Sequence, residues 1–358
     1  MIESHLKGTH EQISITAMSK KGTCGLANVG NTCYINTTIQ CLGHCPSFLD
    51  YVLHGDYNRE QGQFLTELYE VLKELWVNDN NVIPNRFLQH LCAQMKGFNV
   101  MEQNDIQEFF TLFVDKMNQG ICTNITDRAL VSLDSAPDDT TSNNGKYNKL
   151  CKKMEKAWIK SVGNEYSPII NFFYGQSIVQ IVCGKCEKIH HCYEPFCNLL
   201  LPIIKSDGET GIDLLACLEH FVADEILNNN NDNHNWKCDG CQEQPLSYKT
   251  MKFWKLPKVL TICIKRFTYD LKKNNTPVKV PEHIDMTKHV LGHTSNDSKI
   301  YELCAIACHI GSFNHGHYYC VCKNPNGKWY KIDDTMVHEL GDLEVPPTAY
   351  MLFYQLVA

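Results

Sequence analysis

Residues 25–36 read GLANVGNTCYIN and place Cys33 directly after a loop of glycine and asparagine. Both residue types favour tight turns with unusual backbone angles. After the cysteine, Ile35, Ile39 and Leu42 have the spacing of one face of an α-helix. The stretch therefore predicts that Cys33 lies at or near the N-terminus of a packed helix.

A thiol in that position is suited to act as a nucleophile. The unpaired N–H groups and the positive dipole end of a helix N-terminus favour a thiolate, which lowers the thiol pKa below its free value of about 8.5. The same N–H groups stabilise an oxyanion, and Asn28 adds a side-chain donor. On chemistry alone, Cys33 is either a nucleophile or one buried structural cysteine among the 19 of the chain.

The bulk composition limits the class of protein. The chain has 358 residues, of which 43% are hydrophobic, enough for a substantial core without disulfides. Its formal net charge of -7, without a broad basic stripe, predicts that it binds no nucleic acid. The first residues do not resemble a signal peptide, and no apolar run approaches the roughly 18 residues of a membrane helix. We expect an intracellular protein, cytoplasmic or nuclear or both, with reduced thiols and no membrane partner.

The hydrophobic pattern changes along the chain. Residues 62–77 and 104–117 have helical spacing, and Asp105 is placed to cap the second helix. From about residue 167 the chain shows short runs typical of β-strands, at residues 177–182, 199–204, 259–264, 318–322, 328–332 and 349–355. Helices followed by strands indicate an α+β fold. Polar segments are predicted to be exposed at residues 1–21, 134–148 and 228–235.

A nucleophilic cysteine needs an imidazole within hydrogen-bonding reach and a third group that fixes the tautomer of that imidazole. Residues 311–322 read GSFNHGHYYCVC and place His317 directly before a β-type run. The turn signal NPNG at residues 324–327 follows, and a second β-type run leads into Asp333 and Asp334. The segment is therefore predicted to form a hairpin.

The register of this hairpin decides which acid meets the histidine. A turn centred between Pro325 and Asn326 places His317 opposite Asp334, and a turn centred on Pro325 places it opposite Asp333. Opposed side chains in paired strands lie roughly 4.5–5.5 Å apart at Cβ. The hairpin thus predicts a histidine–aspartate pair, with the choice of acid left open.

Other interpretations of this segment also remain. The hairpin is compatible with an ordinary edge hairpin that carries a surface charge pair. His309 and His315 are rival bases. His315 precedes a glycine and is typical of a loop, whereas His309 follows an apolar run and is typical of a packed strand.

Two C-x-x-C pairs lie in the second half of the chain. Four thiolates suit a tetrahedral zinc ion, and a site closed by four protein ligands is structural. The separation between the pairs, residues 187–237, is longer than in compact zinc ribbons. Structural thiols without a metal and a redox-active pair are the alternatives. The four predicted ligands are Cys183, Cys186, Cys238 and Cys241.

Six blocks in order make the chain similar to the ubiquitin-specific proteases, from about residue 22 to the end. The resemblance implies an α+β, papain-like cysteine protease fold shaped as a hand. It implies a tail at residues 1–21 and a catalytic domain at 22–358, with a helical thumb at about 22–165, zinc-tipped β fingers at about 170–250 and a β palm mainly at 251–358. The matching blocks are residues 25–36, 102–109, 174–186, 256–260 with 264–267, 309–320 with 329–334, and 349–354.

The resemblance also implies roles for individual residues of the catalytic site. Cys33 matches the nucleophile, His317 the base and Asp333 the acid that orients the base. Asn28 matches the oxyanion donor, and Asp334 an adjacent acid whose role varies in the family.

Further positions match binding residues of the family. Asp105 matches a residue that binds the C-terminal tail of ubiquitin, and Gln103 and Glu108 match residues that support the groove. The four C-x-x-C cysteines match ligands of one structural Zn²⁺ ion. The departures from the family pattern include Asn104, Gln107 and Cys263, and none of them falls on the proposed triad.

The implied function is a thiol-dependent deubiquitinase, a ubiquitinyl hydrolase that cuts the isopeptide or peptide bond after the C-terminal glycine of ubiquitin. Its expected partners are ubiquitin and ubiquitinated proteins. Two alternatives stay open: a protease for another ubiquitin-like modifier, and an inactive ubiquitin-binding module.

Overall fold

A computed structural model describes residues 21–96, 99–134, 143–204, 212–228, 236–291, 298–312 and 315–357. The predicted N-terminal tail lies outside these ranges except for Lys21. Residues 135–142 and 229–235, which fall within two predicted exposed loops, also lie outside them.

Helices dominate the first half of the described chain. Between α3 and α4 the chain continues as a π-helical turn at Glu74–Asn78. The α-helices are α1 (Cys33–Gly43), α2 (Pro46–His54), α3 (Gln63–Lys73), α4 (Asn85–Gln94), α5 (Ile106–Ile121), α6 (Thr126–Asp134), α7 (Asn143–Val162), α8 (Pro168–Phe173) and α9 (Leu214–Phe221).

Strands dominate the second half, as the change in hydrophobic pattern predicts. They are β1 (Gly175–Cys183), β2 (Ile189–Phe196), β3 (Leu199–Pro202), β4 (Ile212–Asp213), β5 (Glu225–Leu227), β6 (Ser247–Lys255), β7 (Val259–Lys265), β8 (Val278–Lys279), β9 (His283–Asp285), β10 (Ile300–Gly311), β11 (Gly316–Lys323), β12 (Trp329–Asp333), β13 (Met336–Gly341) and β14 (Ala349–Leu356).

The strands form two main sheets in the described ranges. The larger has the order β13-β12-β11-β10-β14-β7-β3, with β9 paired to β10. Its pairs are antiparallel except β3 with β7. The smaller sheet, β2-β1-β6-β5, is antiparallel and carries the C-x-x-C pairs at one end. A short parallel pair, β4 with β8, completes the architecture.

The first helix forms the centre of the structure. Every residue of α1 is buried, and the sequence of the helix, CYINTTIQCLG, contains no charged side chain. A helix without a charged face packs on all sides. It lies against β10 and β11 of the large sheet.

Side chains alternate between the two faces of β11, as strand geometry requires. Tyr318 and Cys320 point into the core that contains α1. Tyr319 and Val321 point into the second core, on the opposite face of the sheet, where α9 packs.

One local prediction is wrong, and another is confirmed. The segment predicted as an exposed loop at residues 134–148 is helical from residue 143, where α7 begins, so that prediction is wrong there. The predicted cap of α5 is present, because Asp105 accepts hydrogen bonds from the backbone N–H groups of Gln107 at 2.8 Å and Glu108 at 3.3 Å. None of the helices in the described ranges combines the length and the apolar character of a membrane-spanning helix.

Candidate active site

The Cys33 thiol lies at the first residue of α1, as the sequence predicts, and is 4% exposed. The loop before it is tied to a distant segment, because Asn31 donates from its backbone to Val100 O at 2.7 Å and from Nδ2 to Met101 O at 2.6 Å. Gly30 permits this approach: its φ is +144°, and an added Cβ would lie 2.7 Å from Val100 O. The nucleophile candidate therefore sits on a fixed support.

His317, at the start of β11, connects Cys33 with an acid. Its Nε2 lies 2.6 Å from Asp333 Oδ1. The contact with the Cys33 thiol and the hydrogen bond with Asp333 together raise the pKa of His317 to about 9. Partial burial acts in the opposite direction and lowers this pKa. Because Asp333 takes Nε2, the nitrogen left for Cys33 is Nδ1. The structure thus brings the three predicted residues of the triad together.

The observed register corrects both predicted registers of the hairpin. Asn324 and Lys328 close a three-residue loop, in which Gly327 has a φ of +80°, a common hairpin geometry. The ladder pairs Cys320 with Ile332 and Lys323 with Trp329, so the turn centres on Asn326.

In this register neither aspartate lies opposite His317. Extended by one residue, the ladder would place Asp333 opposite Tyr319, two residues from His317 and on the same face. Such diagonal neighbours lie roughly 7–8 Å apart, within reach of long side chains. The histidine–aspartate contact therefore forms along a diagonal.

Asp333 also contacts a cation. Lys331, two residues earlier on the same face of β12, places Nζ 3.1 Å from Asp333 Oδ2. Burial alone would raise the pKa of Asp333, but hydrogen bonds from His317 and Lys331 lower it below its ordinary value. The acid is therefore charged at neutral pH.

Asp334 faces a different set of partners. Its carboxylate accepts from Asn28 Nδ2 at 3.0 Å and from Asn36 Nδ2 at 2.9 Å. Its backbone carbonyl accepts from Leu26 N at 2.9 Å. The φ of +52° at Asp334 turns the chain sharply after Asp333. The two adjacent acids thus point to two sides of the site.

Both the oxygen and the nitrogen of the Asn28 side-chain amide form hydrogen bonds. Its Oδ1 accepts from Thr32 N at 3.0 Å, while its Nδ2 donates to Asp334. Each amide nitrogen carries two protons, so one N–H of Asn28 is available to a ligand. This is the arrangement expected for a fixed oxyanion donor.

The rival bases occupy other environments. His309 is 4% exposed and packs against Tyr318 with ring centroids 4.5 Å apart. Burial lowers the pKa of His309 to about 4, so the ring is neutral and packed in the core. His315 is exposed in the bend before β11. The structure places only His317 against Cys33 among these three.

Gln103 holds the strand that carries His317. Its Nε2 donates to Gly316 O at 2.8 Å, and its Oε1 accepts from Gly316 N at 2.9 Å. The resemblance implied a residue that supports the binding groove, and the contacts seen here are with the backbone next to His317. Asp105, besides capping α5, accepts a 2.6 Å hydrogen bond from Tyr350 OH.

The four C-x-x-C cysteines form a separate cluster at the tip of the small sheet. Their sulfur atoms all lie within 4.8 Å of one another. The Sγ atoms of Cys183 and Cys241 lie 3.8 Å apart, and those of Cys186 and Cys238 lie 3.6 Å apart. Zinc–sulfur bonds of about 2.3 Å in a tetrahedron require sulfur separations of about 3.8 Å. The residues therefore fit a structural metal ion.

Backbone N–H groups are directed at two of the four sulfur atoms. The N–H of Cys186 points to Cys183 Sγ at 3.5 Å, and the N–H of Gly240 points to Cys238 Sγ at 3.3 Å. The hydrogen bond from Cys186 is the main cause that lowers the pKa of Cys183 to about 6. A thiolate is the form that binds a metal.

Sequence reasoning missed two residues that contact the adjacent acids, Lys331 beside Asp333 and Asn36 beside Asp334. Lys331 had a signal, because alternate residues of a strand share a face and it precedes Asp333 by two positions. Asn36 lies one turn after the cysteine in the opening motif, but its partner Asp334 is 298 residues away along the chain. Nothing local could have identified that contact.

Comparisons with known proteins agree with this geometry. The sequence profile described as ubiquitin carboxyl-terminal hydrolase matches residues 24–354. The match spans most of the chain and includes every residue of the triad. The chain therefore belongs to the ubiquitin carboxyl-terminal hydrolase family, as the resemblance to ubiquitin-specific proteases predicts.

Curated relatives include ubiquitin carboxyl-terminal hydrolase Usp2 of Drosophila melanogaster, which is 29% identical over 94% of this chain and 35% of its own length. Ubiquitin carboxyl-terminal hydrolase 21 of Homo sapiens is 29% identical over 96% of this chain and 63% of its own length. The chain thus spans less than two thirds of the curated relatives it matches.

A solved structure has the same fold. The SAGA DUB module Ubp8/Sgf11/Sus1/Sgf73 bound to monoubiquitin contains a chain with a TM-score of 0.70 and 23% identity. The match covers 98% of this chain and 72% of that chain. The likeness confirms the predicted fold class, an α+β, papain-like hand with a helical thumb, a β palm and β fingers.

Proposed function

We propose that this chain is a thiol-dependent deubiquitinase that hydrolyses the isopeptide or peptide bond after the C-terminal glycine of ubiquitin. One observation carries the proposal: His317 lies between Cys33 and Asp333 where α1 meets β11, with its Nε2 2.6 Å from Asp333 Oδ1. Membership in the ubiquitin carboxyl-terminal hydrolase family supports ubiquitin as the substrate. The solved structure bound to monoubiquitin supports the same choice of partner.

The first half of the reaction forms a thioester. The Cys33 thiolate attacks the carbonyl carbon of the terminal glycine, and the carbonyl oxygen becomes an oxyanion. The free N–H of Asn28 and the backbone N–H groups at the start of α1 stabilise this charge. His317 then gives its proton to the amine nitrogen of the leaving lysine, and the carbon–nitrogen bond breaks.

The second half releases the product. Water enters, His317 takes one of its protons, and the oxygen attacks the thioester carbon. The thiolate of Cys33 leaves, and ubiquitin departs with a free carboxylate. Asp333 fixes the orientation of the ring through both steps by holding Nε2.

The raised pKa of His317, to about 9, favours this chemistry. At neutral pH an imidazolium with such a pKa retains its proton beside the sulfur of Cys33. This is the proton that the leaving amine needs.

Substrate binding is assigned to the start of α5. The carboxylate of Asp105 is fixed by its own helix and by Tyr350. A fixed acid suits the basic side chains of an extended ubiquitin tail. Gln103 lies beside this segment, and its contact with Gly316 makes it a support of the groove.

The cysteine cluster is assigned to one structural Zn²⁺ ion held by Cys183, Cys186, Cys238 and Cys241. Four protein ligands close the coordination sphere, so the ion stabilises the fingers and takes no part in hydrolysis. We assign the thumb to residues of about 22–165, the fingers to about 170–250 and the palm mainly to 251–358. Residence in the cytoplasm, the nucleus or both is part of the same proposal.

A ubiquitin derivative with a thiol-reactive group at its C-terminus tests the function. The chain is expected to form a covalent adduct, and Cys33→Ala is expected to form none while still binding ubiquitin. Cys122→Ala, at a part-exposed cysteine that follows the end of α5, is the matched control and should react like the unaltered chain.

Two outcomes would contradict the proposal. A chain that binds ubiquitin without reacting would be a binding module and no enzyme. Reaction with a probe built on another ubiquitin-like modifier, but none with ubiquitin, would assign the protease to that modifier.

A further inference from the structure

The proposed zinc cluster has a histidine next to it that the four-cysteine motif does not include. His190, the second residue of β2, places Nε2 3.5 Å from Cys238 Sγ. The ring is mostly covered, with 20% of its side chain exposed, and Cys238 is fully buried. This ring is therefore directed at a ligand sulfur and not at solvent.

The ring of His190 is fixed from two further sides. Its Nδ1 lies 3.2 Å from Asp239 Oδ1, and Asp239 is held in turn by Lys188 Nζ at 2.9 Å. Trp236 packs edge-on against the ring with centroids 5.2 Å apart. Asn228 holds Trp236 through hydrogen bonds of 2.9 Å and 2.7 Å to its backbone.

Residues that contact a metal ligand without binding the metal have a known effect at metal sites. Groups that hydrogen-bond to a ligand fix its direction and stabilise its charge, and their removal typically weakens metal affinity about 10–100-fold. Cys238 already receives one N–H from Gly240, and His190 Nε2 is a second polar group in contact with the same sulfur. Four thiolates around Zn²⁺ carry excess negative charge, so each donor to sulfur stabilises the cluster.

We propose that His190 is a positioning residue of the fingertip zinc site, whose ring lies between Asp239 at Nδ1 and the Cys238 sulfur at Nε2 and fixes the direction of that ligand. The inference rests on the proposed zinc ion but not on the proposed hydrolase activity. His190 is an outer partner and not a ligand, because the four cysteines already complete a tetrahedral set.

The chain supplies a matched control at the next position. His191 lies beside His190 on β2, and successive side chains of a strand point to opposite faces. The His191 ring stacks on Tyr193, with centroids 6.1 Å apart and an angle of 5° between the rings. The change His191→Gln therefore removes an imidazole from the same strand without removing a contact to the cluster.

The experiment measures zinc, with no use of enzyme activity. Zinc content is determined first for the unaltered chain, His190→Gln and His191→Gln, and zinc transfer to a coloured chelator is then followed over time. We expect one zinc per chain, an affinity about 10–100-fold weaker in His190→Gln, and no change in His191→Gln. Asp239→Asn, at an exposed carboxylate, should weaken affinity in the same direction by a smaller factor.

Cobalt substitution separates an outer partner from a ligand. The unaltered chain and His190→Gln should show the same absorption spectrum of a four-thiolate cobalt site. A changed spectrum in His190→Gln would make His190 a ligand and overturn the assignment.

Equal zinc affinity in His190→Gln and His191→Gln would overturn the positioning role. Absence of zinc from the unaltered chain would refute the zinc site together with this inference, while adduct formation with the ubiquitin probe would still stand. If His190→Gln fails to fold, Asp239→Asn against His191→Gln decides the question by the same measurement.

Discussion

Asp334 holds Asn28: the carboxylate oxygen Oδ2 of the acid accepts a hydrogen bond of 3.0 Å from the amide nitrogen Nδ2. The neighbouring acid, Asp333, instead holds His317 at 2.6 Å. One acid therefore orients the proposed base and the other orients the proposed oxyanion donor. Substitutions at the two positions should affect different properties of the enzyme.

Removal of Asp333 should impair proton transfer. Asp333→Ala is expected to lower kcat by about 10²-fold or more, the scale of general acid–base catalysis. The loss should exceed that of Asp334→Ala, because His317 loses its orienting partner. Steady-state hydrolysis of a fluorogenic ubiquitin substrate measures both. A larger loss in Asp334→Ala would reverse the assignment of the two acids.

Loss of the oxyanion donor should appear in kcat with little change in KM. Asn28→Ala is expected to lower kcat by about 10²–10³-fold, as for other oxyanion donors. Asp334→Ala should act on the same parameter by a smaller factor, because Thr32 still holds Asn28. The double variant should be little worse than Asn28→Ala alone. Additive losses would show that Asp334 acts independently of Asn28.

The pH dependence follows from the raised pKa of His317. Folding raises this pKa from 6.5 to about 9, so the associated stability is complete below pH 6.5 and is lost as the pH rises through about 9. The basic limb of kcat/KM should likewise fall near pH 9.

Asp333→Asn provides the contrast for this pH profile. It removes one of the contacts that raise the pKa of His317, so the basic limb should shift to lower pH. Asp334→Asn should leave the limb in place, because its carboxylate bonds to the two asparagines and not to the imidazole. Identical profiles in both variants would contradict the separate roles of the acids.

The two hydrogen bonds between Gln103 and Gly316 should affect kcat more than the thermal stability of the chain. Gln103→Ala removes two solvent-exposed hydrogen bonds, so the melting temperature should change by less than about 2 °C. Without Gln103 the backbone at Gly316 can move, and His317 moves with it. Small displacements of a catalytic group slow the reaction, so kcat should fall. Gln103→Glu keeps the acceptor and loses the donor, so its kcat should lie between that of the unaltered chain and that of Gln103→Ala. Unchanged rates in both variants would reduce Gln103 to a surface contact.

Loss of one zinc ligand should unfold the tip of the fingers. Cys238→Ser is expected to lose bound metal and to lower the melting temperature by more than about 4 °C. Cys192→Ser, an exposed cysteine of the same sheet, is the control and should retain both. Metal analysis and thermal unfolding provide the two measurements. Unchanged metal content and melting temperature in Cys238→Ser would refute the zinc site.

Local patterns were sufficient to predict most of the fold. The helical spacing of residues 104–117 and the β-type run of residues 318–322 depend on neighbours in sequence, so α5 and β11 follow from them. The cysteine at the start of α1 follows for the same reason, because glycine and asparagine mark the loop before it. The resemblance to the family linked the predicted triad residues, which lie far apart in sequence.

The rest depended on geometry that short patterns leave open. The turn after Asn324 takes a three-residue loop with Gly327 at positive φ, and this shifts the whole register of the hairpin. Asp334 and its partner Asn36 are 298 residues apart along the chain. Gln103 and Gly316 are 213 residues apart. Such contacts exist only after the helices and the sheet have packed together.

The placement of the triad has a consequence for synthesis. Cys33 is synthesised before His317 and Asp333, and β14, which lies between β10 and β7 in the large sheet, follows all three. A growing chain therefore carries the proposed nucleophile without its proposed base until β11 has been synthesised. We expect a chain cut short before β11 to have no hydrolase activity, because it contains Cys33 but not His317.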